Sequence, residues 1–276
     1  MKVGDGVFMR KLHFSIPARE AAVPRITYSV LLVGDQIALV DTGVSYNLVD
    51  IEQLCSEAGV RIEDISLVIN THCHPDHIGG NAVVKQRASK AQVLASRLAK
   101  PFIEDLNSQY ARRPVPGFFF LVSGSVQVNR ALDDGDEIHI GFPIRVIASP
   151  GHSADSISLY LPEQSVLITG DAVPYSLDVP IYEDLEALKG SLGKLSALGA
   201  KWLVSAFAGL VSIPKEDPFA SAFQYLDKVQ AAVDEFGPAD AQNERARAEF
   251  VLKRLGVQSP VLPFVLTSLK QHESTH

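Results

Sequence analysis

The sequence predicts a layered α/β sandwich, and three observations predict it. Short apolar runs that read as strands come in pairs, segments with helical apolar spacing lie between the pairs, and Gly and Asp turn residues join the strands of a pair. At 276 residues and 46% hydrophobic composition the chain is long enough to bury one large core, and nothing in its composition suggests disorder.

Residues Ile26 to Val40, "ITYSVLLVGDQIALV", read as two strands joined at Gly34 and Asp35, and Asp41-Thr-Gly43 ends the second. The spacing from Asn47 to Ala58 is helical. Ile65 to Ile69 is a short strand that delivers the chain into a histidine cluster, and a helix follows from about Asp76. Val93 to Ala95 is a further short strand. Residues 98–128 break the rhythm as a lid-like insertion of mixed helix and loop. Asp133 to Asp136 is a turn, followed by strands near 137–140, 144–148, 156–161 and 166–169, the last closed by Gly170-Asp171. A helix near Leu185 to Leu198 leads to the strand "KWLVSA", and from about Pro214 the chain is helical. The expected organisation is therefore one domain over residues 1–213 and a helical extension over 214–276 packed on it. The extension cannot bury its apolar stripe alone, so its partner is the sandwich or a second copy in a homodimer.

The formal net charge of −7 is spread along the chain with no basic run, which argues against nucleic-acid binding. No uncharged apolar run approaches a membrane span and the N-terminal apolar stretch is interrupted by charges, so a cytoplasmic protein with no membrane partner is expected. The two cysteines, Cys55 and Cys73, fall in a helix and in the histidine cluster, and are expected as reduced thiols.

The chemistry concentrates in "NTHCHPDHIGGN", Asn70 to Asn81. His72 and His74 are two apart, which in extended backbone sets both imidazoles on one side and Cys73 on the other. Asp76 and His77 follow Pro75 at a helix start and project differently, toward a second ion beside the first. Imidazole and carboxylate without thiolate suit zinc, iron or manganese. Asp41, His152 in "SPGHS" and Asp171 in "ITGDA" each stand at a strand end. Asp41 by itself reads equally as a turn-capping residue.

Through "VDTG", "THCHPDH", "SPGHS" and "TGDA", in that order over roughly residues 26 to 210, the sequence resembles the metallo-β-lactamase-fold hydrolase superfamily. The resemblance implies an αββα sandwich with metal at one edge between the sheets and the helical extension beyond. It implies one or two divalent ions, zinc first with iron and manganese as alternatives. His72, His74 and His152 would hold one ion, Asp76 and His77 the second, Asp171 would bridge them, and Asp41 would orient ligands by hydrogen bonds. The chain departs from the family at the ligand that usually completes the second centre, a histidine in a glycine-containing segment. Here that segment is Ser205-Ala-Phe-Ala-Gly209, and Phe207 or Ala208 falls at the ligand position. The remaining histidines, His13, His139, His272 and His276, do not fall in the expected place: His139 reads as a half-buried strand residue and the last two as mobile tail.

Three functions compete. The first is a hydrolase that turns a metal-bound hydroxide on a small carbonyl substrate, a thioester, ester or lactone, similar to glyoxalase II or the acyl-homoserine lactonases. Asp76 would orient that hydroxide, and Tyr175 would donate to a developing oxyanion. The second is a mononuclear iron persulfide dioxygenase using His72, His152 and Asp171. The third is a non-catalytic metal-binding member with an incomplete second centre. In the insertion, Phe118 to Phe120 read as core packing, and Arg112 and Arg113 as a solvated face or a contact for a carboxylate. A secreted lactamase and an RNA-processing nuclease are both disfavoured, the first for want of a secretion signal and the second for want of basic surface and an added domain.

Overall fold

Alternating apolar residues build two β-sheets that bury one face against each other. The computed structural model describes residues 1–17, 22–175, 179–239, 242–257, 259 and 262–272. The first sheet runs in chain order from β1 (Lys2–Gly4) and β2 (Val7–Ile16) through β3 (Val23–Val33) and β4 (Ile37–Val40) to β5 (Ile65–Asn70), β6 (Gln92–Ser96) and β7 (Arg130–Leu132). It is antiparallel up to β4 and parallel from β4 onward. The second sheet contains β8 (Glu137–His139), β9 (Pro143–Ala148), β10 (Ile157–Leu161), β11 (Val166–Gly170), β12 (Trp202–Ser205) and β13 (Gly209–Ser212), antiparallel except where β11 meets β12.

Val30, Val40 and Ile69 of the first sheet interdigitate with Ile144, Leu159 and Ile168 of the second, all buried. Each such side chain contributes about 1.5 to 3 kcal/mol by leaving water. The outer face of the first sheet is covered by α1 (Leu48–Glu57) and α3 (Asn81–Arg87), through Ile51, Leu54 and Val84. The outer face of the second is covered by α7 (Leu185–Ser196), α8 (Pro218–Phe236), α9 (Glu244–Leu255) and α10 (Leu262–Lys270), through Leu192, Leu226, Val251 and Val265. Helix, sheet, sheet and helix are the four layers of the αββα sandwich. Among the described residues no helix is long and apolar enough to cross a membrane.

The structure adds strands that the sequence reading leaves unassigned: β1, β2, β7 and β13. The helix read from Asp76 is two short ones, α2 (Pro75–Ile78) and α3, because the His77 carbonyl accepts from Thr42 N at 2.8 Å. The insertion holds α4 (Lys100–Glu104), α5 (Leu106–Arg112) and α6 (Phe118–Leu121). Its aromatic run does not simply pack inward: Phe118 is buried, while Phe119 and Phe120 are 56% and 66% exposed. β2 and β3 pair over their whole length, but β4 pairs only with Val30 to Val33, so the other end of the hairpin runs on past the sandwich. That overhang becomes one wall of the site.

Candidate metal centre

Strand ends bring the polar residues together. Asp41 follows β4, His72 and His74 follow β5, His152 sits in the loop after β9 and Asp171 follows β11, while Asp76 and His77 lie on α2. Thr71 joins the two halves at this edge, its carbonyl accepting from Ile157 N of β10 at 2.8 Å. Gly170 allows the close approach: its φ is +51°, and a Cβ there would stand 2.6 Å from Thr71 Oγ1.

The ligand atoms form two groups. The inner nitrogens of His72, His74 and His152 lie close together, with His74 Nδ1 2.9 Å from both His72 Nε2 and His152 Nε2. Asp171 Oδ2 stands 3.2 Å from His152 Nε2 and 3.8 Å from His72 Nε2. The other oxygen, Oδ1, stands 3.2 Å from His77 Nε2, which is itself 3.8 Å from Asp76 Oδ2. Asp171 thus turns one oxygen to each group, and each group could hold a metal ion.

The outer nitrogens settle which inner atoms carry lone pairs. Asp41 accepts from Thr71 N at 2.8 Å, from Thr71 Oγ1 at 2.7 Å and from His77 Nδ1 at 2.8 Å. With its proton given to Asp41, the Thr71 hydroxyl can only accept from His72 Nδ1, 3.1 Å away. His152 Nδ1 donates to the Ile181 carbonyl at 2.8 Å. In the neutral rings, the Nε2 atoms of His72, His77 and His152 therefore point lone pairs inward, the form a metal requires.

Burial favours that form at the first group. It pushes His72, His74 and His152 below the ordinary imidazole value, and the neighbouring positive groups, His77 and Arg113 among them, push the same way. His77 behaves oppositely: burial lowers it, but the carboxylates of Asp171, Asp41 and Asp76 outweigh burial and raise it well above the usual value. Burial pushes Asp171 up, and the charges of His77 and His152 outweigh it and hold the carboxyl below the usual range. Asp76 is raised, first by burial and then by Asp171 despite the opposing pull of His77. Both His77 Nε2 and Asp171 Oδ1 are buried without a hydrogen-bond partner although only 3.2 Å apart. Two orphaned ligand atoms that face one another without bonding fit a shared cation, which would replace a proton there.

The site opens into a cavity of about 530 Å³ lined by His74, Asp76, His152 and Asp171 on one side. Phe14 and Ile16 of the β2–β3 overhang, Val115 and Leu121 of the insertion and Phe264 of α10 form its apolar walls. Tyr175, Arg113, Phe207 and Ala208 also face it. Phe207 and Ala208 occupy the turn between β12 and β13, with their N–H groups donating to Ser205 Oγ, and present no ligand atom. The second group holds Asp76, His77 and Asp171.

Of the other histidines, His13 lines the cavity mouth, His139 is exposed rather than half-buried, and His276 lies outside the described residues. His272 is buried rather than on a mobile tail: it meets Tyr182 Oη and Gln230 Oε1. Sequence reading missed the cavity contributions of His13, Phe14 and Phe264. The first two could have been found from the apolar residues of Val7–Ile16, whereas Phe264 depends on where α10 docks. Both cysteines are free and buried.

A family model described as "Metallo-beta-lactamase superfamily" matches residues 22–206. Hydroxyacylglutathione hydrolases of Brucella anthropi and Brucella ovis are 29% and 27% identical over 147 residues, which is 53% of this chain and 46% and 47% of those proteins. The chain's match therefore spans about half the length of these curated relatives. Among solved structures, a metallo-beta-lactamase family protein from Thermus thermophilus superposes with a TM-score of 0.72 at 20% identity, covering 97% of this chain and 92% of that one. A beta-lactamase domain protein from Burkholderia ambifaria gives 0.72 at 21% identity, covering 99% and 86%. At these identities the likeness is one of fold.

Proposed function

We propose, starting from the fact that the chain belongs to the metallo-beta-lactamase superfamily, that it is a metal-dependent hydrolase of a small carbonyl substrate with a thioester, ester or lactone bond. The observation that carries this reading is a set of converging inner lone pairs on a buried histidine and aspartate cluster, opening onto an apolar cavity. The thioester class has added support in the names of the curated relatives, which are hydrolases of hydroxyacylglutathione.

In this reading His72, His74, His152 and Asp171 would hold one divalent ion, and Asp76, His77 and Asp171 the second. When bound, such ions supply a water nucleophile near neutral pH and a Lewis acid for the substrate carbonyl. Zinc suits a donor set of imidazole and carboxylate, and iron and manganese suit it as well. Asp76 lies where its carboxylate can orient the attacking water. Tyr175 keeps its proton, its hydroxyl raised by partial burial and by the Glu216 charge, and serves as a donor to the developing oxyanion. The apolar walls hold the acyl part and keep bulk water from the reacting carbonyl.

The test is a hydrolysis panel of a hydroxyacylglutathione, an aryl ester and an N-acyl homoserine lactone on protein whose metal content is known. Hydrolysis of at least one, lost together with bound metal in His72→Ala and His152→Ala, is expected. Wild-type turnover in either variant contradicts the ligand roles. Full metal loading with no turnover of any panel member contradicts the hydrolase reading and favours the non-catalytic one. The second group's lack of a ligand from Phe207 or Ala208 favours one alternative, the mononuclear persulfide dioxygenase, which consumption of oxygen with a glutathione persulfide would reveal.

A further inference from the structure

Arg113 is a cation inside the cavity whose hydrogen-bonding capacity is largely unspent. It follows α5, with its backbone N–H donating to the Gln109 carbonyl at 2.9 Å and its own carbonyl accepting from Val115 N at 2.9 Å. Pro114 and Pro116 restrict the chain that follows. The side chain is only 13% exposed. Its guanidinium carbon lies 4.2 Å from the centroid of the Phe264 ring, a cation–π contact that holds the group beside α10.

Its partner among the described residues is Glu183, with Nη1 3.6 Å from Oε1, beyond hydrogen-bond reach. Glu183 is committed elsewhere, because Oε2 accepts from Arg112 Nη2 at 3.0 Å and from Ala154 N at 3.2 Å. A guanidinium carries five N–H donors in a planar fork, and burying it with so few bonds is costly unless an acceptor arrives. Burial indeed pushes Arg113 below the usual arginine range, against the opposing pull of Glu183 and Asp76. A divalent ion at the histidine cluster would neutralise the nearby carboxylates of Asp76 and Asp171. Arg113 would then be left as a positive charge, with Arg25 also on the lining, facing a cavity whose walls are largely apolar.

We propose that Arg113 is a specificity-determining residue that receives a carboxylate of the substrate, so that the molecule taken is an acyl compound with a second, anionic end. The inference rests on the hydrolase reading for the identity of the reacting end, which sits at the histidine cluster. The planar fork matches a carboxylate bidentately, and the contact with Phe264 limits where it can go. Apolar residues line the cavity that both ends share, so the part of the molecule between them is expected to be hydrocarbon.

The experiment is calorimetric titration of zinc-loaded protein, at matched metal content, with glutarate and with butyrate. Each ligand offers one carboxylate to the metal, and glutarate alone offers a second. Wild-type protein is expected to bind glutarate about tenfold or more tightly than butyrate, the scale of one charge-assisted bidentate contact. In Arg113→Met the ratio should fall to near one, and Arg113→Lys should retain part of it, thermal unfolding confirming that both variants fold. Equal affinities in the wild type, or an unchanged ratio in Arg113→Met, overturn the proposal. The hydrolysis panel fails or succeeds independently, since the titration reads binding without turnover.

Discussion

Asp41 adopts φ 56°, a left-handed conformation that few residues other than glycine take, and three hydrogen bonds to Thr71 and His77 hold it there. Its carboxylate fixes the Nδ1 proton of His77 directly and that of His72 through the Thr71 hydroxyl. Asp41→Asn is therefore expected to lower zinc affinity about 10- to 100-fold, read by competition with a chromophoric chelator. An unchanged competition curve would leave Asp41 as a turn-capping residue only. Gly170→Ala should cost about 1 to 3 kcal/mol of stability, because it puts a Cβ against Thr71 in a left-handed conformation. Thermal unfolding checks this, and a Tm equal to wild type would show that the approach to Thr71 is not tight. At this scale the histidines and aspartates were legible because they are crowded into one run or stand at strand ends. Arg113 was only half legible: Arg112-Arg113 reads locally as a solvated pair, and only the fold sends Arg112 to Glu183 and Arg113 into the cavity.

Helix α10 does more than cover the second sheet. Ser268 Oγ accepts from Tyr182 N at 2.8 Å and donates to the Tyr182 carbonyl at 2.9 Å, clamping the segment whose Ile181 carbonyl holds His152. Ser268→Ala is expected to cost about 1 kcal/mol or more and to loosen metal retention, since it leaves the buried Tyr182 N–H without that acceptor. Metal release rates unchanged from wild type would separate the helix from the site. Just beyond α10, His272 adds a pH dependence. Burial lowers its pKa to about 4, against an unfolded value near 6.5. Between those values the unfolded chain binds the proton more readily, so the contribution is complete above pH 6.5 and is lost as pH falls toward 4, a change on the order of 3 kcal/mol. Denaturant unfolding of wild type and His272→Gln from pH 7 to pH 4 checks it: the variant should show the smaller slope. Outside the insertion and β7 (Arg130–Leu132), most strand and helix positions from Ile26 to Ser205 were legible from apolar spacing. The β2 strand was not, because charges at Arg10 and Lys11 interrupt its apolar residues, and the role of α10 lies in tertiary contacts that no local pattern encodes.

For the whole molecule, the two sheets bring a group of four side chains and a group of three, each able to hold a metal ion, to a shared aspartate. The first has three imidazoles and a carboxylate oxygen, and the second has Asp76, His77 and the other oxygen of Asp171. Phe207 and Ala208 face the same cavity and supply no ligand. The αββα class and the metal-binding character were legible from spaced motifs, whereas the cavity was not, since its walls come from an N-terminal hairpin, an insertion and a C-terminal helix far apart in sequence. Adding a ligand by Ala208→His or Phe207→His should raise affinity at the second group alone, and unchanged titrations of both variants would mean that another group already completes it. The two groups are unequal, and competitive zinc titration of the metal-free wild-type protein measures that inequality. One tightly held ion per chain and a second at least about tenfold weaker are expected. Two ions taken up with equal affinity, or no tight ion at all, would contradict that expectation.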